Sequence, residues 1–280
     1  MKQVRLNNGV MMPAVGFGVY QIPQQETERC VSEALEVGYR MIDTAESYFN
    51  EQEVGNAIRQ SGIRREELFV TSKLWVQHYE TDDALRAFDA SMKRLGLDYL
   101  DLYLLHKPYG NYYAAWRVLE RLYKEGRIRA IGVTSFSDDR LQDLFLHNEI
   151  RPAVNQIETH PFRQQQASGA FLAKEGILHE AWAPCAEAQN GIFQNPVLTA
   201  IAQRHGKSVG QVILRWLNQR SVVVIPKSVR RERMEENLKI FDFTLTVQDM
   251  EAIAALNTEK SPIYDENDLA TVRGIGTYAF

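Results

Sequence analysis

Eight short apolar segments alternate with helical patterns between about residue 15 and residue 240 of this 280-residue chain. Some are apolar at every position, such as Val222–Ile225, which is typical of strands buried on both faces of a parallel sheet. The alternation therefore predicts an α/β fold. The predicted strands are Val15–Tyr20, Tyr39–Ala45, Leu68–Leu74, Leu100–His106, Ile128–Ser135, Pro152–Glu158, Leu178–Pro184 and Val222–Ser228.

The segments between these strands carry apolar residues at the helical period. Leu85, Phe88, Met92 and Leu95, for example, are spaced 3, 4 and 3 residues apart. That spacing puts one apolar stripe on a helix, which can then pack against a sheet.

Eight strand–helix units fill the chain and favour a (β/α)8 TIM barrel, a fold of typically about 250 residues. Val4–Leu6 and Val10–Met12 flank an Asn-Asn-Gly turn and predict an N-terminal β-hairpin that could close the barrel floor. Val209–Gln219 and Val247–Leu256 are predicted as two extra helices. We expect residues 1–280 to form one domain. The alternative, a doubly wound open sheet, is disfavoured because Gly16–Gln21 lacks the third glycine of a dinucleotide-binding fingerprint.

Composition and charge exclude several classes of protein. Thirty-two basic and thirty-six acidic residues give a net charge of −4, whereas nucleic-acid binders are usually basic. No apolar run approaches the roughly 20 residues of a membrane span, and the N-terminus lacks the apolar core of a secretory signal. Cys30 and Cys185 are far apart and form no CxxC pair. We therefore expect a cytoplasmic protein without disulfides, membrane contact or a metal site.

Four residues that carry chemistry follow the ends of three successive predicted strands. They are Asp43, Tyr48, Lys73 and His106, and strand ends of a TIM barrel meet at the rim that holds the active site. A tyrosine can donate its proton to a developing alkoxide, and a nearby ammonium would lower its pKa. Asp43 would keep Lys73 charged, and His106 would orient a substrate oxygen. The hypothesis is proton transfer to a carbonyl oxygen.

Other interpretations of these residues stay open. An Asp–Lys pair on neighbouring strands is a common barrel salt bridge, and a histidine after an apolar strand is usually a core residue. A Schiff-base aldolase or lyase would instead use Lys73 as its nucleophile. A third hypothesis is a non-catalytic scaffold that only binds a cofactor.

A basic cluster follows the last predicted strand. Lys227, Arg230, Arg231 and Arg233 crowd the start of a predicted helix, where the helix dipole disfavours cations. A bound phosphate would remove that conflict, and barrel enzymes often bind phosphate there. Lys227, Arg230 and Arg233 are the predicted ligands, with the hydroxyl of Ser228. The alternative is a solvated surface balanced by nearby glutamates.

The chain resembles the aldo-keto reductases along nearly its whole length, and its short loops are most similar to the bacterial 2,5-diketo-gluconate reductase-like branch. Any one matching segment is modestly specific, but all of them in this order are strongly specific. The segments are Gly9–Gly18, Gly38–Ala45 with Tyr48, Asn50 and Glu51, Thr71–Trp75, Arg94–Tyr103, Val154–Pro161, and Ile225–Ser228 continuing to Glu236 and Asn237.

The resemblance implies reduction of a small carbonyl substrate by NADPH, with a catalytic tetrad of Asp43, Tyr48, Lys73 and His106. It also implies a monomer. The basic cluster favours NADPH over NADH because only NADPH carries the 2′-phosphate. The implied cofactor contacts are Gln156 and Ser135 at the carboxamide, Trp182 against the nicotinamide, Lys227, Ser228, Arg230 and Arg233 at the 2′-phosphate, and Glu236 and Asn237 at the adenine.

The departures from the family pattern lie around the predicted mouth. Lys107 stands where the family usually has tryptophan, and Ser135 stands where it has asparagine. Lys107 would either attract an acidic substrate or point to water. The implied substrate wall is Tyr20, Phe49, Trp75, His106 and Tyr109, with the tail near Phe280. Cys185 and the Gly18-Val19-Tyr20 loop also depart, and we expect an altered substrate preference.

Overall fold

The structure, a computed structural model, describes residues 2–278. Eight parallel strands pair with one another in chain order, and a parallel bridge between Val15 and Val224 joins the first of these strand regions to the last. The Gly16 amide donates to the Val224 carbonyl at 2.8 Å across this seam, so the sheet closes into the predicted (β/α)8 barrel. The strands are β1 Gln3–Arg5, β2 Met11–Pro13, β3 Phe17–Gly18, β4 Met41–Asp43, β5 Phe69–Leu74, β6 Leu102–Leu105, β7 Ile131–Thr134, β8 Val154–Glu158, β9 Leu178–Trp182 and β10 Val223–Val224.

The helices surround the barrel. One of the two predicted extra helices, α8, has the predicted bounds, and the other, α10, ends two residues earlier than predicted. The helices of the described residues are α1 Gln24–Val37, α2 Glu51–Gln60, α3 Thr81–Leu95, α4 Tyr112–Lys124, α5 Asp138–Leu146, α6 Gln166–Glu175, α7 Pro196–His205, α8 Val209–Gln219, α9 Arg231–Leu238, α10 Val247–Ala254 and α11 Leu269–Thr277. Asn195 caps α7 and Asp268 caps α11, two helices that the apolar pattern did not predict.

The N-terminal hairpin β1–β2 packs across the floor of the barrel, as predicted. Leu6 and Met12 are buried in a cluster with residues from inside the barrel. The turn is anchored by Asn7 and Asn8, whose side-chain amides donate at 2.9 Å to backbone carbonyls of two barrel-bottom loops. The floor is therefore covered, and polar side chains gather at the opposite end.

The strands end earlier than predicted because the backbone turns away at the mouth. Ser135 and Ala183 were expected inside strands but have φ values of 60° and 47°, which lie in the left-handed region and cannot continue a strand. Phe49 shares this conformation, with φ 56°. Left-handed non-glycine residues cost energy and cluster at functional sites. The left-handed residues therefore also indicate a functional site at the mouth.

Both cysteines are free thiols. Within residues 2–278, no helix combines the length and the apolar character needed to cross a membrane. In the same range, no group of three or more His, Cys, Asp or Glu side chains is placed to hold a metal ion.

Candidate active site

Lys73 lies at the centre of the barrel mouth and brings two of the predicted residues together. Its Nζ donates to Asp43 Oδ1 at 2.5 Å, to the Thr44 carbonyl at 2.9 Å and to the Tyr48 hydroxyl at 3.3 Å. Asp43 on β4 and Lys73 on β5 are both buried. Because β4 and β5 are adjacent parallel strands, their side chains reach the same rim. The predicted Asp–Lys–Tyr arrangement is therefore present in space.

The phenol of Tyr48 is carried by a 3₁₀ turn, Glu46–Tyr48, that follows β4. Its ring packs against Tyr20, with the ring centroids 4.9 Å apart. Burial, followed by the negative charge of Asp43, raises the pKa of Tyr48 well above 10. The pKa of Tyr48 is therefore raised in the protein alone and does not show the net fall expected from the nearby Lys73 ammonium, because burial and the charge of Asp43 prevail. The hydroxyl consequently keeps its proton at neutral pH.

The imidazole of His106 faces the same space. Its ring lies 5.6 Å from that of Tyr48 and 5.1 Å from that of Trp75, both edge-on. Its Nδ1 is 3.2 Å from the Ser47 hydroxyl. Burial, followed by the positive charges of Lys73 and Lys107, lowers the pKa of His106 well below 6.5. His106 is therefore a neutral hydrogen-bonding group in this site.

A second carboxyl group, Glu180 on β9, belongs to the site and was missed in the sequence analysis. The side-chain amide of Gln156 donates at 2.9 Å both to Asp43 Oδ2 and to Glu180 Oε2. Burial, together with the charge of Asp43, raises the pKa of Glu180 to about 8. The available signal was a carboxylate in the middle of Leu178–Trp182, since a central strand of a barrel has no exposed face for a free charge.

Lys107 does not point to water. Its side chain is 9% exposed, and its Nζ donates to the Ser135 hydroxyl at 3.2 Å. The ring of Trp182 stacks on that of Tyr264, with centroids 5.9 Å apart and an interplanar angle of 14°. Ser135, Gln156 and Trp182 lie on or directly after the adjacent strands β7, β8 and β9, and Lys107 contacts Ser135 while Tyr264 covers Trp182.

The predicted substrate wall is only partly assembled. Trp75 is buried beside His106, and its ring also contacts that of Tyr278, 5.9 Å away. Tyr20 and Phe49 are half-exposed beside Tyr48. The prediction for Phe280 concerns a residue outside the described range. Tyr109 instead donates its hydroxyl to the Glu266 carbonyl at 2.5 Å, so it holds the C-terminal segment.

The basic cluster stands at the start of α9 and is only partly neutralised. Arg231 pairs with Glu36 on α1 at 2.6 Å. Lys227, Arg230 and Arg233 are exposed, and no carboxylate within residues 2–278 lies within 4.0 Å of them. The glutamates on α9 therefore do not balance these cations, which favours the anion-site interpretation over the solvated surface.

Three other predicted positions adjoin this cluster. The Ser228 hydroxyl accepts from the Arg230 amide at 3.0 Å and shapes the turn before α9. Asn237 interacts with the hydroxyl of Tyr39, and Glu236 is exposed. Burial raises the pKa of the Cys185 thiol to about 12, with the charge of Arg233 opposing. Cys185 is therefore a neutral packing residue and not a reactive thiolate.

Comparison with known proteins places this chain in a family. Residues 8–258 match the aldo/keto reductase family. The chain is 48% identical over 259 residues to glyoxal reductase from Bacillus subtilis, covering 92% of this chain and 93% of that protein. It is 46% identical over 269 residues to morphine 6-dehydrogenase from Pseudomonas putida, covering 91% of each.

Solved structures agree with this assignment. An aldo-keto reductase from a deep-sea metagenome superposes with a TM-score of 0.93 at 42% identity, covering 95% of this chain and 99% of that one. A Bombyx mori aldo-keto reductase in complex with NADP gives a TM-score of 0.90 at 34% identity, covering 97% of this chain and 96% of that one. The chain belongs to the aldo/keto reductase family, as the sequence motifs had indicated.

The raised pKa of Glu180 predicts a particular pH dependence of stability. Between about pH 4.5, the ordinary carboxyl pKa, and about pH 8, the folded protein binds more protons at this group than the unfolded chain does. The free energy of unfolding therefore falls as pH rises through this window, at most about 1.4 kcal/mol per pH unit for this one group. Glu180→Gln should remove that contribution. Urea unfolding of both proteins from pH 5 to pH 8 measures it.

Glu125→Gln is the matched control, because the Glu125 carboxylate is exposed and pairs with Arg121 on the helix surface. Its unfolding curves should stay parallel to those of the wild type across the range. Curves of Glu180→Gln that also stay parallel to the wild type would show that Glu180 is ionised in the folded protein.

Proposed function

We propose that this chain reduces aldehydes or ketones to alcohols with NADPH, and that Tyr48 donates the proton. The observation that carries the proposal is the position of the Lys73 ammonium, 2.5 Å from the Asp43 carboxylate and 3.3 Å from the Tyr48 hydroxyl. An acid with this partner, beside a neutral imidazole at an open barrel end, suits protonation of a carbonyl oxygen.

The proton transfer follows from the charges at the mouth. The Tyr48 hydroxyl is protonated at neutral pH and gives its proton to the carbonyl oxygen as negative charge develops there. The phenolate left behind is stabilised by Lys73, which Asp43 keeps charged. When the Ser47 hydroxyl donates to Nδ1 of His106, the ring proton is on Nε2, which can hydrogen-bond the same oxygen. Solvent then returns a proton to Tyr48.

The residues present fit a phosphorylated dinucleotide. Three exposed cations with no carboxylate partner among residues 2–278, namely Lys227, Arg230 and Arg233, match the charge of a 2′-phosphate. NADPH supplies the hydride when bound. Gln156 and Ser135 would hold the carboxamide, Trp182 would stack on the nicotinamide, Ser228 would join the phosphate ligands, and Glu236 and Asn237 would face the adenine. The relatives solved with NADP or NADPH support this choice.

The Schiff-base alternative is not favoured. A nucleophilic lysine must lose its proton and move toward the substrate. Lys73 is instead fully buried and held by Asp43, the Thr44 carbonyl and Tyr48. A scaffold without activity is also disfavoured, because relatives such as glyoxal reductase are named for oxidoreductase reactions.

We further propose a monomer that works in the cytoplasm. Two free thiols are compatible with a reducing compartment. Light scattering of the purified protein tests the monomer, since a mass of twice 32.1 kDa would indicate a dimer.

Tyr48→Phe removes the proposed acid and keeps the ring. Carbonyl reduction should fall by about 10²–10⁴-fold, the usual contribution of a positioned general acid, while NADPH affinity changes little. NADPH oxidation at 340 nm with a panel of aldehydes measures the first quantity, and fluorescence titration measures the second. Tyr123→Phe on α4, away from the mouth, is the control and should behave as wild type. Wild-type turnover in Tyr48→Phe would rule out Tyr48 as proton donor.

Arg233→Ala tests the phosphate site. We expect NADPH binding to weaken roughly tenfold, the scale of one charged hydrogen bond, with little change for NADH. Arg231→Ala is a matched control on the same helix, because Glu36 already neutralises Arg231. The dissociation constants of NADPH and NADH are measured for the wild type and for both variants. An equal loss for NADPH and NADH would mean that Arg233 does not recognise the 2′-phosphate.

A further inference from the structure

The side chain of Lys107 presents a second buried ammonium at the barrel mouth. Lys107 directly follows His106 and is 9% exposed. Its Nζ donates to the Ser135 hydroxyl at 3.2 Å, to Glu266 Oε1 at 3.1 Å and to the Tyr264 hydroxyl.

The surroundings of Lys107 require an anion. Its Nζ lies 5.6 Å from the ring centroid of Trp182 and 5.0 Å from that of Tyr264. Aromatic faces attract a cation, but a buried ammonium also needs a counter-charge to offset its lost hydration. Glu266 provides that charge through a carboxylate whose side chain is 16% exposed. The Lys107 ammonium and the Tyr264 hydroxyl, which donates to the same Glu266 oxygen at 3.5 Å, thus already form a binding site for a carboxylate.

Glu266 reaches this position from the rim and not from the barrel wall. It lies in the segment between α10 and α11, whose neighbouring residues Asp265 and Asn267 are exposed. Tyr109 holds the Glu266 backbone carbonyl, so the anchoring of this backbone does not depend on the Glu266 carboxylate. A carboxylate brought by a ligand can replace that of Glu266 without changing the net charge beside Lys107.

The position of Lys107 relates this carboxylate site to the reacting groups. Lys107 is bonded in sequence to His106, and its charge acts on the imidazole. Tyr264, which shares the carboxylate site, lies close enough to Tyr48 to act on its pKa. His106 and Ser135 directly follow or lie just beyond the adjacent strands β6 and β7, so the Lys107 ammonium, which donates to the Ser135 hydroxyl, lies at the same rim as the reacting groups. A substrate whose carbonyl lies at Tyr48 and His106 can therefore extend toward Lys107.

We propose that Lys107 determines specificity by binding the carboxylate of an anionic carbonyl substrate, and that Glu266 occupies this site when no such substrate is bound. The substrate class is aldehydes or ketones that also carry a carboxylate. The inference rests on the proposed carbonyl reduction and adds a preference to it. The Glu266 carboxylate therefore competes with the substrate carboxylate for the Lys107 ammonium.

Two aldehydes that differ mainly in charge test this. 4-Carboxybenzaldehyde carries a carboxylate and 4-nitrobenzaldehyde carries a neutral group of similar shape and electron demand. Lys107→Met should raise the KM for 4-carboxybenzaldehyde about tenfold or more relative to that for 4-nitrobenzaldehyde, the loss expected for one charged hydrogen bond. Lys107→Arg should restore most of the preference. The change should appear in KM rather than kcat, because the carboxylate contact does not alter during reduction.

Glu266→Gln tests the competitor independently of any change at Lys107. It should lower the KM for 4-carboxybenzaldehyde several-fold with a smaller effect on 4-nitrobenzaldehyde, because it removes the internal carboxylate. Lys239→Met and Glu251→Gln change exposed residues of the same types and should leave the ratio of the two KM values at its wild-type level. If Lys107→Met does not fold, Glu266→Gln decides the question.

The outcomes separate this inference from the proposed function. Equal changes of KM for both aldehydes in Lys107→Met, or an unchanged or higher KM for 4-carboxybenzaldehyde in Glu266→Gln, would overturn the role of Lys107 while leaving carbonyl reduction intact. A wild-type enzyme that reduces neither aldehyde with NADPH would count against the proposed function, and the inference would fail with it.

Discussion

The ion pair between Lys73 and Asp43 sets the electrostatics of the whole barrel mouth. Taking an ammonium and a carboxylate out of water costs several kcal/mol per ion, and good geometry with further hydrogen bonds must offset that cost. Both ions have such bonds here, since the Thr44 carbonyl accepts from Lys73 and Gln156 donates to Asp43. Burial favours a neutral His106 and a protonated Glu180, and the charges of this pair add to both effects, Lys73 at His106 and Asp43 at Glu180.

The positions of the strands could be predicted because a barrel strand buried on both faces must be continuously apolar. The ends of the strands could not be predicted, because the chain leaves the sheet where Ser135 and Ala183 adopt a left-handed backbone conformation. Serine and alanine are not residue types that indicate this conformation. The last helix, α11, was missed for a related reason. It is capped by Asp268 but has no buried face, so it lacks the apolar stripe on which helix prediction relies.

The candidate site likewise contains residues that could be predicted from the sequence and residues that could not. Asp43, Tyr48, Lys73 and His106 could be found because three successive strands end at one rim. The role of Glu266 could not, because its contact with Lys107 spans 159 residues of sequence and belongs to a segment without periodicity. The direction in which the pKa of Tyr48 is shifted could not be predicted from the sequence either. Residue types identify the ammonium that lowers it, but only the folded structure gives the burial that raises it more.

The covered floor has a consequence for the proton balance of a catalytic cycle. Leu6 and Met12 cover the lower end of the barrel with buried apolar side chains, which disfavours a path for water from below. In the proposed reaction, the proton that Tyr48 gives away would be replaced from above, through the opening that admits the reactants. We therefore expect re-entry of water at that opening and release of the alcohol to be coupled, because the hairpin covers the other end of the barrel.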